Sequence, residues 1–155
     1  CTPYDKGDFQ LTLYLYNIEE NGEFRPIEMK AEGKNRLRYP PMSLTLHYLL
    51  TAHSSTDIKS RASDEQRILG KAMQVLYDNP TLDDSKLLGT LADNSEELEI
   101  QLNRMSHEEI QRLWNFPNVP YKLSQSYRVS PVMLDSTRVK QVKRVMEADI
   151  TVRQK

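Results

Sequence analysis

Three histidines, one cysteine and a few acidic clusters are the residues of this sequence whose types could do chemistry. His47 lies in "YPPMSLTLHYLLTAHS", Tyr39 to Ser54, inside an apolar run that must be buried. There an imidazole could act as a general base beside a carboxylate, or as a metal ligand. A metal needs several convergent ligands, and His53, six residues further along a strand rising about 3.3 Å per residue, would sit roughly 20 Å away. The two cannot share one ion, so a hydrogen-bonded packing role is the expectation for His47. His107 opens "SHEEIQ", which lacks the second histidine of a zinc-binding H-E-x-x-H. Cys1 has no second cysteine to pair with, which excludes an intrachain disulfide and fits a reducing compartment. Asp78, Asp83 and Asp84 lack the alternating ligands and central glycine of a calcium loop, and Glu96, Glu97 and Glu99 read as an exposed strand rim. The five glycines are scattered, with no phosphate-cradling loop and no G-x-S-x-G elbow. No catalytic residue, metal or cofactor is expected.

Charge narrows the classes further. With 21 basic and 22 acidic groups, the chain offers no global field for a polyanion, which argues against nucleic acid as a partner. No apolar run approaches the roughly 20 residues that cross a bilayer, and no signal-peptide core precedes the first charges, so no membrane partner is expected. Arg138, Lys140, Lys143 and Arg144 form the densest positive cluster, suited to a solvated helix face or to docking on an acidic protein surface. Tyr14, Tyr16, Tyr121 and Tyr127 are placed by the same neutrality in packing or a protein interface, not in base stacking. The 155 residues suffice for a single domain, 1–155, burying roughly two thirds of its unfolded surface.

These side chains hang on alternating and helical stripes. "DFQLTLYLYNI" alternates, Leu11, Leu13 and Leu15 on one face and Thr12, Tyr14 and Tyr16 on the other, which predicts a strand covered in part on both sides. Residues 19–38 follow as a long loop or arm with room for a short hairpin. Pro40 and Pro41 then fix an extended entry to a second strand. Leu44, Leu46, Tyr48 and Leu50 point one way in it, and Thr45, His47, Leu49 and Thr51 the other. Ser63 with Gln66 predicts a capped helix start, and Ile68, Leu69, Ala72, Met73 and Leu76 its buried stripe. Gly70 there predicts close backbone packing, and Asp78, Asn79 and Pro80 predict the helix end. Thr81 to Leu91 has the makings of one more helical turn. "EELEIQLNRM", Glu96 to Met105, predicts a third strand with Glu97, Glu99, Gln101 and Asn103 on its solvated face, and Ser106 with Glu109 a second capping box before a helix bearing Ile110, Leu113 and Trp114. Tyr121 to Leu134 predicts a fourth strand with Pro131 at an edge or bulge, and 138–155 a C-terminal extension whose Val139, Val142 and Met146 suit a helix while "DITVRQ", Asp149 to Gln154, suits a strand pairing outside this fold.

Taken in order, "LTLYLYNIEENGEFR", "PPMSLTLHYLLTA", "DEQRILGKAMQVLYDNP" and "LEIQLNRMSHEEIQRLWNFPNVPYKLSQSYRVSPVMLDS" resemble the N-terminal domain of the tail-terminator, or cap, proteins of extracellular contractile injection systems. The resemblance runs from about Phe9 to Ser136. It is carried by Pro40, Pro41, Leu44, Leu46, His47, Tyr48, Leu50, Leu69, Gly70, Trp114 and Tyr127. It implies a mixed α/β (α+β) fold, a mainly antiparallel sheet of four to five strands with two main helices packed on one side. Family members usually begin with a helix ahead of the first strand, and none is legible before Phe9.

The resemblance also implies a role: a ring, usually of six copies, that closes the distal end of an inner tube and sheath and ends tail elongation. The partners would be further copies of the chain and the tube and sheath subunits. The setting would be assembly in the bacterial cytoplasm into a phage-tail-like particle, released or cell-bound. Arg25, Arg36 and Arg38 in the arm and Arg138, Lys140, Lys143 and Arg144 in the tail are the candidate subunit contacts. Two other classes stand beside it: a small cytosolic enzyme using His47 with a distant carboxylate, and an adaptor that binds an effector peptide.

Overall fold

The computed structural model describes residues 10–33, 35–83, 85–89, 91, 97–115 and 120–142. The alternating segments form strands β1 (Leu11–Glu20), β4 (Met42–Ala52), β6 (Leu98–Leu102) and β7 (Ser124–Leu134), with a short β5 (Thr81–Leu82). They make one antiparallel sheet ordered β1-β4-β7-β6-β5. A second sheet, β2-β3-β8, joins β2 (Lys30–Ala31), β3 (Arg36–Arg38) and β8 (Val139–Gln141). The fold is mixed α+β, with helices α1 (Ile58–Asp78) and α2 (His107–Leu113).

Directly opposed residues in antiparallel strands share a face, and neighbours along a strand point apart. Leu50 therefore faces one way, with Leu13 and Gln125 opposite it, while Leu49 faces the other, with Tyr14 and Ser126 opposite it. Leu50 and Ala52 pack with Tyr127 against Leu69, Ile68, Ala72, Met73 and Leu76 of α1. Leu49 packs with Tyr14 and Tyr16 against Ile110, Leu113 and Trp114 of α2. The two helices thus lie on opposite faces of the sheet, not on one side as expected. The even positions of β4, from Leu44 to Ala52, are apolar, while Ser43, Thr45 and Thr51 on the other parity are small and buried around Leu49, so this central strand is covered on both faces.

The covered face of β1 is its Thr and Tyr face. Thr12 is buried, while Leu13 and Ile18 of the leucine face are 51% and 55% exposed. The same holds in β7, where Ser124 and Ser126 are buried beneath α2. Their small hydroxyls let Trp114 approach and satisfy one another: Trp114 Nε1–H donates to Ser124 Oγ at 3.1 Å, and Ser124 and Thr51 hydroxyls meet at 2.8 Å.

α1 begins at Asp57, six residues before the predicted Ser63 cap, and Asp57 makes no side-chain capping bond. Nothing from Ile58 to Ala62 breaks a helix, so propagation runs back until the Asp57 carbonyl accepts from the Ser60 and Arg61 amides. Glu65, placed by sequence at the helix start, instead reaches out to the Ser54 amide and Lys122. Gly70 is exposed, and a Cβ built on it meets nothing within 4 Å, so close packing in this chain is not its reason. The helix end at Asp78 and the Ser106–Glu109 capping box are as expected.

Pro131 lies in a central strand, at the irregularity where Leu44 and Leu46 of β4 face Val132 and Val129 of β7, one residue past the last pair with β6. It is the bulge of the two alternatives. Within Thr81 to Leu91, where a helical turn was expected, residues 81–82 instead pair with β6 as a strand, while Leu91 is helical. Val139 likewise begins a strand, not a helix, because β3 supplies a free edge for it. Met146 lies outside the described residues.

Candidate interaction surfaces

His47 is held within the sheet face that carries α2. Its side chain is 12% exposed; Asn103 Nδ2 donates to Nδ1 at 3.5 Å, which leaves Nε2–H to donate to Glu19 at 2.7 Å. The same Asn103 Nδ2 lies 3.2 Å from Tyr16 Oη and 3.1 Å from Ser126 Oγ, so its two hydrogens are shared among three acceptors, and the tyrosine hydroxyl meets Ser126 at 2.8 Å. The net joins β1, β4, β7 and the end of β6, and among the described residues His47 hydrogen-bonds to no hydroxyl or thiol it could activate. Asn103, assigned to the solvated face by alternation alone, is its hub. The only signal was its place on the same parity as His47, which required the register to be known.

A second net ties the other end of the sheet to α1. An ammonium has only donors, so Lys122 Nζ donates to His53 Nδ1 at 3.1 Å and His53 Nε2–H donates to Thr12 Oγ1 at 2.9 Å. Lys122 also pairs with Glu65 at 3.2 Å, with both side chains largely buried. Burial, and then the charge of Lys122, push the His53 pKa below the ordinary histidine value, with Glu65 opposing. Nothing in the spacing of these residues marked them.

Across the main sheet, from the last residues of β1 over β4 and β7 to β6, lies an open polar hollow, lined by Glu19, Glu20, Glu23, Thr45, Glu99, Gln101, Arg128 and Ser130. Arg128 is held there by Gln101. Four carboxylates against one guanidinium leave the hollow acidic.

The small sheet carries the opposite sign. Of the candidate contact residues, Arg36, Arg38, Arg138 and Lys140 converge on β3 and β8, though they lie about a hundred residues apart in sequence. Arg38 pairs with Glu32, which lowers the pKa of that carboxyl and raises that of the guanidinium; Arg138 stacks over the Tyr39 ring at 4.3 Å. Arg25 stands apart, 3.7 Å from Glu20 in an exposed pair of little energetic weight. Lys143 and Arg144 lie outside the described residues. Of the residues carrying the family resemblance, Leu50, Leu69 and Tyr127 share the core under α1, Trp114 belongs to the core under α2, and Pro40 and Pro41 link β3 to β4. Leu44, Leu46 and Tyr48 lie half-buried on the α1 face of β4, and Gly70 lies at the surface.

Among the described residues no group of three or more His, Cys, Asp or Glu could hold a metal ion, and no helix is long and apolar enough to cross a membrane. The chain is similar in fold to an extracellular contractile injection system component, the PVC sheath/tube terminator in its extended state. That match has a TM-score of 0.65 and 20% identity over 94% of this chain and 50% of the other. It is also similar to the anti-feeding prophage tube-terminating cap, with a TM-score of 0.58 and 22% identity over 91% and 48% of the two chains. It therefore spans about half the length of the solved proteins it matches. No curated protein matches it. The sequence profile of one family, described as the Pvc16 N-terminal domain, matches residues 2–148, nearly the whole chain, and the chain belongs to that family.

Proposed function

We propose that this domain is a structural part of the terminator, or cap, of a contractile injection system. In this reading, copies of the chain form a ring, six in the pattern of the family, that seats on the last layer of inner tube and sheath and stops elongation. The observation that carries it is the family match over residues 2–148, joined to the fold shared with a sheath/tube terminator and a tube-terminating cap.

A non-catalytic role is supported by how the ionisable groups are used. His47 and His53 are each spent on two hydrogen bonds that tie strands together, and the acidic hollow is open to solvent with its one guanidinium already engaged. The reading places assembly in the bacterial cytoplasm, within a particle that is then released or retained. Electron microscopy of particles produced without this protein tests it. Tails of uncontrolled length, or none, are expected, and tails of normal length and closed ends would refute it.

A further inference from the structure

β1 is a long edge strand, and no strand among the described residues pairs its outer side. Its first six residues, Leu11 to Tyr16, carry no charge and no proline, two of the devices that normally keep an edge from pairing with another chain, and the register with β4 shifts only at their end, between Leu15 and Asn17. Leu13 and Ile18 on one face of it are 51% and 55% exposed, and Glu19, Glu20 and Glu23 close its far end in the acidic hollow. Such an edge calls for an extended, partly apolar and basic occupant.

The chain carries such a segment itself. The small sheet follows β4 and β7 off the end of the main sheet, through Tyr39 to Pro41 on one side and residues 135–138 on the other. It bears Lys30, Arg36, Arg38, Arg138 and Lys140 against Glu32, and the arm leading to it exposes Phe24 at 51% and Ile27 at 85%. No carboxylate among the described residues lies within ion-pair distance of Arg36 or Lys140. The chain's net charge is only -1, so two copies that set an acidic patch against a basic one have no net repulsion to overcome.

We propose that the outer edge of β1, apolar on one face and acidic at its end, receives the basic three-stranded sheet of a second copy of this chain, head to tail. The two patches differ, so the contact is heterologous: every open assembly leaves one edge and one basic sheet unfilled at its two ends, and association continues until a ring closes. This rests on the terminator reading for its ring, and it names the surfaces.

A charge swap tests it. One variant carries Glu20→Lys with Glu23→Lys, the other Arg36→Glu with Lys140→Glu; all four positions are solvent-exposed, and the melting temperature of each variant checks its fold. By sedimentation, with and without tube protein, each variant alone is expected to associate at least about tenfold more weakly than the wild type, because like charges then face each other. An equimolar mixture is expected to recover the ring, as the reversed edge of one copy meets the reversed sheet of the other in alternation. Wild-type association is expected to weaken as salt rises. If either variant alone assembles as readily as wild type, something else covers the edge, such as the chain's own ends or a tube subunit, and the inference fails while the terminator reading stands. Loss in both variants without recovery in the mixture also overturns it. A wild type that stays monomeric even with tube protein sinks both.

Discussion

At the scale of the residue, the two half-buried histidines show the same side chain used as a fastener. His53 is the more sensitive, because its ring accepts from an ammonium and protonation would set two cations face to face. Its pKa is lowered in the folded chain, so the unfolded chain binds the proton first as pH falls. Stability from this group is complete above the ordinary histidine value of 6.5 and is lost as pH drops through the lower folded value. The carboxylates whose pKa values are lowered, Glu32, Asp83 and Glu109, act only below their ordinary range, so they do not confuse this window. Urea unfolding compared at about pH 7.5 and about pH 5.5 should show the wild type less stable in acid, and His53→Asn should remove part of that slope. An unchanged slope in the variant would mean that the Lys122–His53–Thr12 net does not couple to folding.

At the scale of the element, α1 and β1 show where pattern and environment part. The stripe from Ile68 to Leu76 was legible because 3.6-residue periodicity is a property of the chain alone, and it does pack on the core. The helix start was not legible, because Ser63–Gln66 and Asp57 are both chemically able to begin a helix and only the docking of Glu65 on Ser54 and Lys122 favours the longer one. Gly70 carries the clearest test. It sits in a helix interior with open space around it, so Gly70→Ala should stabilise the isolated chain by about 1 kcal/mol, seen as a raised denaturation midpoint with an unchanged slope. A destabilised variant would show that the position is more crowded than its surroundings indicate.

At the scale of the whole molecule, one sheet serves two cores, and adjacent residues of β4 serve opposite ones. Leu49 is fully buried, between Trp114 and Ile110 of α2 and the tyrosines of β1. Its truncation leaves a cavity that both the helix and β1 line, so Leu49→Ala should cost about 2–5 kcal/mol. Trp114 is the single tryptophan and lies in that same core, so its fluorescence follows the loss directly. If a small shift of α2 fills the gap, the cost falls below that range, and α2 is then an appendage instead of a wall.

The sequence by itself determined the four long strands, the buried stripe and the end of α1, the two faces of β4, the capped start of α2, and the lack of spacing for a metal, phosphate or nucleophile site. These are local matters, decided by periods of two and 3.6 residues and by which side chains lie within a few positions of one another. Only the tertiary structure decided which face of each strand is covered, that α1 and α2 oppose each other, that Asn103 turns inward, and that the arm and the tail join in one basic sheet. Alternation states that two faces differ; register and topology state what lies against each. Those are long-range pairings, whose energies come from residues a hundred positions apart and leave no mark in any short window of the chain.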